Sequence, residues 1–397
     1  MNGKTTDPVQ ERIKIMANTK WVAAWGCAET YTTQNVSNVI EDTTFRYVVY
    51  SPLAGSKIRL YFSNRLGHKT AKIDKVSVAP YIGGGKVDVE KAVFVTFDGK
   101  RECIMQAGEK LVSDEVDFGT DCGKYFAISL YIKNQTELWC GHWNGGHFIK
   151  KFYGVGDYAD AAEIDVDAIG EGGPYVFLYQ ADVLTSEDSS AIVAFGDSIT
   201  AQPWPDWLAR RIVESGITNR SVVRRGIGGN RILREYKCRM KRHYGEIGVE
   251  RFERDVNIAG ADRVFLLHGV NDIIHPNPES PYCPMEHFPS FEDMVSGYTH
   301  YINTAHKLGK KRDIATLLPM HRKVADPART EDMRCRINEW LRANKDIDGL
   351  IDFEAAVWNE ENHKVFEPVC DSGDHLHPSV EGARRMAYCI PEEFYKS

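Results

Sequence analysis

A short apolar run, AIVAF, ends in Gly-Asp-Ser-Ile-Thr at residues 196–200, where a reactive serine would have to stand. A hydroxyl is a weak nucleophile unless a base takes its proton and donors receive the oxyanion that forms on the attacked carbonyl. Ser198 is such a candidate, with Asp197 before it as the residue that fixes the turn. The remaining parts lie far along the chain. RRGIGGNR supplies Gly226, Gly228 and Gly229, whose backbone N–H groups can approach a ligand with no Cβ in the way. HGVND supplies Asn271, an amide donor that can aim at an oxyanion without competing for the moving proton. Asp272 beside it reads as a turn residue, and His268 is a candidate on the substrate side.

CDSGDHLHPS places Asp374 three residues before His377, a carboxylate able to hold an imidazole in one tautomer and to stabilise its cation. His375 stays open as an alternative base. Metal binding by Asp371, Asp374, His375 and His377 lacks a further His or Cys ligand from another strand, so no metal is expected. Each block alone is also an ordinary turn or cap. Their succession along one chain gives the combination its weight.

The elements that would position these residues change in kind along the chain. From about Trp21 to Leu184 the sequence is a series of alternating runs, among them TFRYVVYS, KIRLYFSN, KYFAISLYIK and PYVFLYQADVL, separated by Gly, Asp and Asn turns. This predicts an all-β, jelly-roll-like sandwich over residues 1–184. TSEDSS, residues 185–190, reads as a linker. Residues 191–397 then alternate strand and helix patterns, which predicts an α/β domain with a mostly parallel sheet covered on both faces. Ligands of such sheets bind outside the carboxyl ends of the strands, where Ser198 falls.

GDSIT, GIGGN, GVND and DHLH, in this order, resemble the four signature blocks of the SGNH, or GDSL, superfamily of esterases and lipases. The similarity extends to two-domain members in which a β-sandwich precedes a flavodoxin-like SGNH hydrolase domain. The resemblance implies Ser198 as nucleophile, Asp374 and His377 as the dyad, and the Ser198 amide, Gly229 and Asn271 as the oxyanion hole. It implies no cofactor and an ester substrate, with carbohydrate acetylesterases among the two-domain relatives. One departure is that PWPDWL follows GDSIT almost at once, where many relatives carry a longer glycine-rich loop.

Around this constellation, Trp204 and Trp207 could wall an acyl or sugar pocket or simply pack. Trp139, His142 and Trp143 are expected to be buried in the sandwich, stacking on sugar rings being the alternative, and the proline-rich stretch 275–290 is a candidate substrate lid. The net charge of −7, with pI near 6.0 and no Lys/Arg stripe, gives no reason to expect nucleic acid. No secretory leader or membrane helix is read, and nine cysteines without a CxxC pair suit reduced thiols, so a cytoplasmic location is expected. The expectation is a serine esterase for short-chain, acetyl-type esters on a small molecule or oligosaccharide. A lipase, lysophospholipase or thioesterase and a carbohydrate-binding protein with a silent hydrolase domain are the alternatives.

Overall fold

The computed structural model describes residues 18–31, 38–142, 148, 150–164, 170–171, 175–237 and 243–396. Residues 1–17, Trp143 and the side chain of His142 lie outside the described residues.

The alternating runs of the N-terminal half form two main antiparallel sheets, with three smaller ones of two or three strands beside them. One orders its strands Thr19–Gly26, Leu178–Ser186, Lys57–Ser63, Lys110–Val112. The other is built around Thr43–Ser51, Lys124–Ile132 and Lys75–Gly83 in seven strands. Alternation sends Leu60, Phe62 and Val183 of the first and Tyr47, Val49, Ile128 and Val78 of the second into one shared core, which makes the pair a sandwich. Trp139 lies outside that core. Its indole N–H donates to Glu137 and its ring meets His68 edge-on.

The C-terminal half contains five parallel strands: β1 (Ser190–Gly196), β2 (Arg220–Gly226), β3 (Ala261–Leu267), β4 (Lys311–Ala315) and β5 (Gly349–Ile351). Their order in the sheet is β2-β1-β3-β4-β5. Every residue of β1 is buried, because helices cover both faces. Phe195 meets Phe252 of the helix Gly248–Val256 and Tyr301 of the helix Phe291–Lys307. Trp204, at the start of the helix Trp204–Glu214, packs on Phe353 within the same domain core.

The two halves are stitched together. Of the six residues read as a linker, Thr185 and Ser186 still belong to a strand of the sandwich and Ser190 already opens β1. The turn between is closed by the Ser186–Ser189 hydroxyl pair at 2.8 Å. The strand Thr19–Gly26 borders the parallel sheet: Ala23 N–H donates to Ala259 O, and the Ser221 hydroxyl of β2 donates to Ala23 O. Ala191 and Val223 accordingly pack into the core of the sandwich.

Candidate active site

β1 ends at Gly196, where an added Cβ would stand 1.9 Å from Leu267 O and 2.5 Å from the Thr200 hydroxyl. Only glycine allows the strand and the following turn to lie this close to β3. Asp197 caps the short helix Ser198–Ala201 by accepting the Ile199 N–H at 3.0 Å. Burial pushes its carboxyl up to about 7, opposed by donors from the Ile199 and Gly269 backbone. The turn projects Ser198 beyond the carboxyl end of the sheet, half-buried.

The loop after the short 3-10 helix Pro368–Cys370 brings the other partners to this serine. His377 Nε2 lies 2.8 Å from Ser198 Oγ, and His377 Nδ1 lies 2.6 Å from Asp374 Oδ2. Asp374 Oδ1 accepts the Leu376 and His377 N–H groups at 3.0 and 2.8 Å and the Ser372 hydroxyl at 3.0 Å. Burial alone would raise this carboxyl, but the His377 and Leu376 hydrogen bonds and the imidazole charge outweigh it and hold it well below the usual range. An ionised Asp374 can only accept, so Nδ1 carries the proton and Nε2 presents a lone pair to the serine hydroxyl. His375, the alternative base, does not join this chain. Its Nδ1 pairs with Asp371 Oδ2 at 2.7 Å, and its ring lies 4.0 Å from that of His321.

Gly229 has φ of 72°, and an added Cβ would stand 2.3 Å from the Tyr244 ring, so both the backbone and the space require glycine. Its carbonyl accepts the Tyr236 hydroxyl at 2.8 Å. Asn271, 2% exposed, donates from Nδ2 to Asn230 O at 3.0 Å. One amide hydrogen orients the side chain through that bond and leaves the other for a ligand. Asp272 accepts the N–H groups of Ile232 and Leu233, which fixes the segment after the glycine turn.

Two of the substrate-side candidates are buried instead. Trp204 is 0% exposed and serves the core, because its position at the helix start faces Phe353 rather than the strand ends. His268 is 1% exposed: its Nε2 meets Asn230 O at 3.1 Å, its Nδ1 meets the Tyr301 hydroxyl, and burial lowers it to about 3. It therefore positions the Asn230 carbonyl that also holds Asn271. Trp207 is partly buried and meets Phe148 edge-on at 4.8 Å. The stretch 275–290, read as a lid, is tied to its neighbours by Lys237 N–H to Tyr282 O and by the Arg231 guanidinium on Cys283 and His287.

Two groups were not singled out by the sequence. Arg251, fully buried, donates to Gly196 O at 2.6 Å, Arg225 O at 3.0 Å and Asn230 Oδ1 at 2.9 Å, with Asp255 as counter-ion at 2.8 Å. It clamps the ends of β1 and β2 to the glycine turn. The only signal for it is the Arg–Asp spacing of four on an amphipathic helix. His275, one turn beyond Asn271, pairs through Nδ1 with the Tyr236 hydroxyl. Since Tyr236 gives its proton to Gly229 O, His275 Nδ1 must be the donor, which leaves Nε2 an acceptor. Burial, with the charges of Arg231, Arg322 and His377, lowers His275 to about 4 and keeps it neutral.

Compared with known proteins, residues 194–385 match the family model described as GDSL-like Lipase/Acylhydrolase family. No curated protein matches. Among solved structures, a GDSL-like lipase from Bacteroides thetaiotaomicron is 22% identical, with 52% of this chain and 87% of that chain covered and a TM-score of 0.35. An acetylxylan esterase from Geobacillus stearothermophilus is 19% identical, with 52% and 96% covered and a TM-score of 0.38.

Proposed function

We propose, for a chain whose residues 194–385 belong to the GDSL-like lipase/acylhydrolase family, that Ser198 is the nucleophile of an esterase acting through an acyl-enzyme. The observation that carries this reading is the unbroken hydrogen-bond chain from Ser198 Oγ through His377 to Asp374. His377 Nε2 takes the hydroxyl proton as Oγ bonds to the ester carbonyl carbon. The Ser198 and Gly229 amides and the second Asn271 hydrogen receive the oxyanion. His377 then returns its proton to the departing alcohol, and a water molecule repeats the sequence to release the acid. The division into a sandwich of residues 1–184, a connection at 185–190 and a catalytic unit of 191–397 is part of the same proposal.

The substrate we infer is a short acyl ester, acetyl in type, on a carbohydrate. A long acyl chain gains about 0.8 kcal/mol per buried CH₂ and needs an apolar channel to do so. A groove of about 690 Å³ mixes the charged Arg322, Lys323, Glu331 and Asp332 with Met320, Val324 and Pro327, a broken rather than a continuous apolar wall. A neutral His275 with a free acceptor nitrogen likewise suits hydroxyl groups.

Labelling with a fluorophosphonate, followed by kcat/KM for acetyl, butyryl, octanoyl and palmitoyl esters of one alcohol and acetate release from acetylated xylo-oligosaccharides, tests both levels. Labelling and turnover should vanish in Ser198→Ala. Modification of another serine would remove the nucleophile assignment. Preference for octanoyl or longer chains, with no acetate released from any sugar, would replace the substrate class by a lipid.

A further inference from the structure

The sequence of the loop 371–378 offers two Asp–His pairs, and the structure builds them as near copies. In each, Oδ1 accepts backbone N–H groups of the loop: Gly373 and His375 for Asp371, Leu376 and His377 for Asp374. In each, Oδ2 meets the Nδ1 of a histidine. The second pair faces Ser198. The first faces His321, a residue contributed from beyond the end of β4, whose N–H donates to His375 O at 3.1 Å. His321 is thus the ligand from another strand that the sequence pattern lacked.

We propose that His321, Asp371 and His375 form a three-ligand site for a divalent transition-metal ion of the zinc class. One donor atom from each lies within 4.8 Å of the others. In a tetrahedral site with bonds near 2.0–2.1 Å, donor atoms stand about 3.3 Å apart. Small side-chain rotations therefore close the set, with the Asp371–His375 hydrogen bond of 2.7 Å opening slightly. Two imidazoles and one carboxylate select zinc, copper, nickel or cobalt over calcium or magnesium, which take oxygen ligands. Asp371 is already oriented by the two N–H groups on its other oxygen, the kind of outer support metal ligands use. His375 has φ of 62°, a conformation that a residue with a side chain adopts where its surroundings impose it, and here it turns the imidazole onto Asp371 and His321. Three protein ligands leave an open position for water. The ion would tie the loop bearing Asp374 and His377 to the end of β4.

The test uses the full chain stripped with a chelator and titrated with Co²⁺, read by its visible absorption, and then displaced with Zn²⁺. One equivalent should bind with the intense bands of four- or five-coordinate Co²⁺, equally in wild type and Ser198→Ala, so that the result does not depend on the hydrolase reading. His321→Ala and His375→Ala should each weaken binding by roughly 100-fold or more, since even outer-sphere supports contribute 10- to 100-fold. His377→Ala should bind normally. His321→Gln and thermal unfolding of every variant without metal control for folding. Absence of a Co²⁺ spectrum in folded wild type, or binding lost in His377→Ala and kept in His321→Ala, would overturn the proposal.

Discussion

Replacing Asp374 by asparagine exchanges one carboxylate oxygen for an NH₂ and tests the assignment of the proton on His377. The Oδ1 position accepts the N–H groups of Leu376 and His377, so the new side chain keeps its oxygen there and turns its NH₂ toward His377 Nδ1. A donor at that place makes Nδ1 an acceptor and moves the imidazole proton to Nε2, where it meets the Ser198 hydroxyl as donor against donor. Flipping the amide restores the tautomer but leaves two N–H groups facing an NH₂, at about 1–1.5 kcal/mol each. The productive state is therefore disfavoured by about 2–3 kcal/mol, and the transition state also loses a charge-assisted bond to the imidazolium, about 1.5–3 kcal/mol. Together these, about 3.5–6 kcal/mol, give a kcat lower by roughly 400- to 25,000-fold. The assay is burst and steady-state hydrolysis of 4-nitrophenyl acetate, with the unfolding midpoint as control. A loss of less than about tenfold, or a larger loss in Asp371→Asn than in Asp374→Asn, would refute the tautomer argument.

Asn271→Ala should lower kcat by about 10²- to 10³-fold with a smaller effect on KM, and Asn271→Asp should be at least as damaging because it sets a carboxylate beside the Asn230 carbonyl. A change confined to KM would make Asn271 a ground-state binding residue. Acid sensitivity should follow His268 and His275, whose folded values near 3 and 4 lie below the ordinary 6.5. The unfolded chain binds these protons first, so their stabilisation is complete above about 6.5 and is lost as pH falls toward 4. Urea midpoints across this range should flatten by about one proton's slope in His275→Gln. An unchanged slope would show that His275 is not held neutral by the fold.

The candidate site was legible because its residues sit in compact blocks at strand ends, and the structure does bring Ser198, His377 and Asp374 into one hydrogen-bonded chain. The strands of both halves were legible through alternation and β-branched or aromatic content. What escaped depends on which face of an element turns inward. Trp204 follows Ser198 closely in sequence, yet its helix directs it onto Phe353. The helix Gly248–Val256 carries Val249, Phe252 and Val256 at helical spacing, but its charged residues masked the stripe, and a fully buried Arg251 runs against the usual fate of arginine. His321 lies about fifty residues before Asp371, and only the placement of β4 in the sheet brings them together.

The contact between the strand Thr19–Gly26 and the parallel sheet bears on how such a protein can be recombined. Arg225 donates to Cys27 O at 2.8 Å and bonds Gln180, while its own carbonyl is held by Arg251, which also grips Gly196 two residues before Ser198. Exchange of the N-terminal half for a foreign module would thus alter the scaffolding of Ser198 at a distance of a few bonds. A unit transplanted as a cassette from Ser190 onward would have to bring a replacement for that first strand, whereas insertions at open turns such as Asp98-Gly99, where an added side chain meets nothing, would leave the geometry around Ser198 intact.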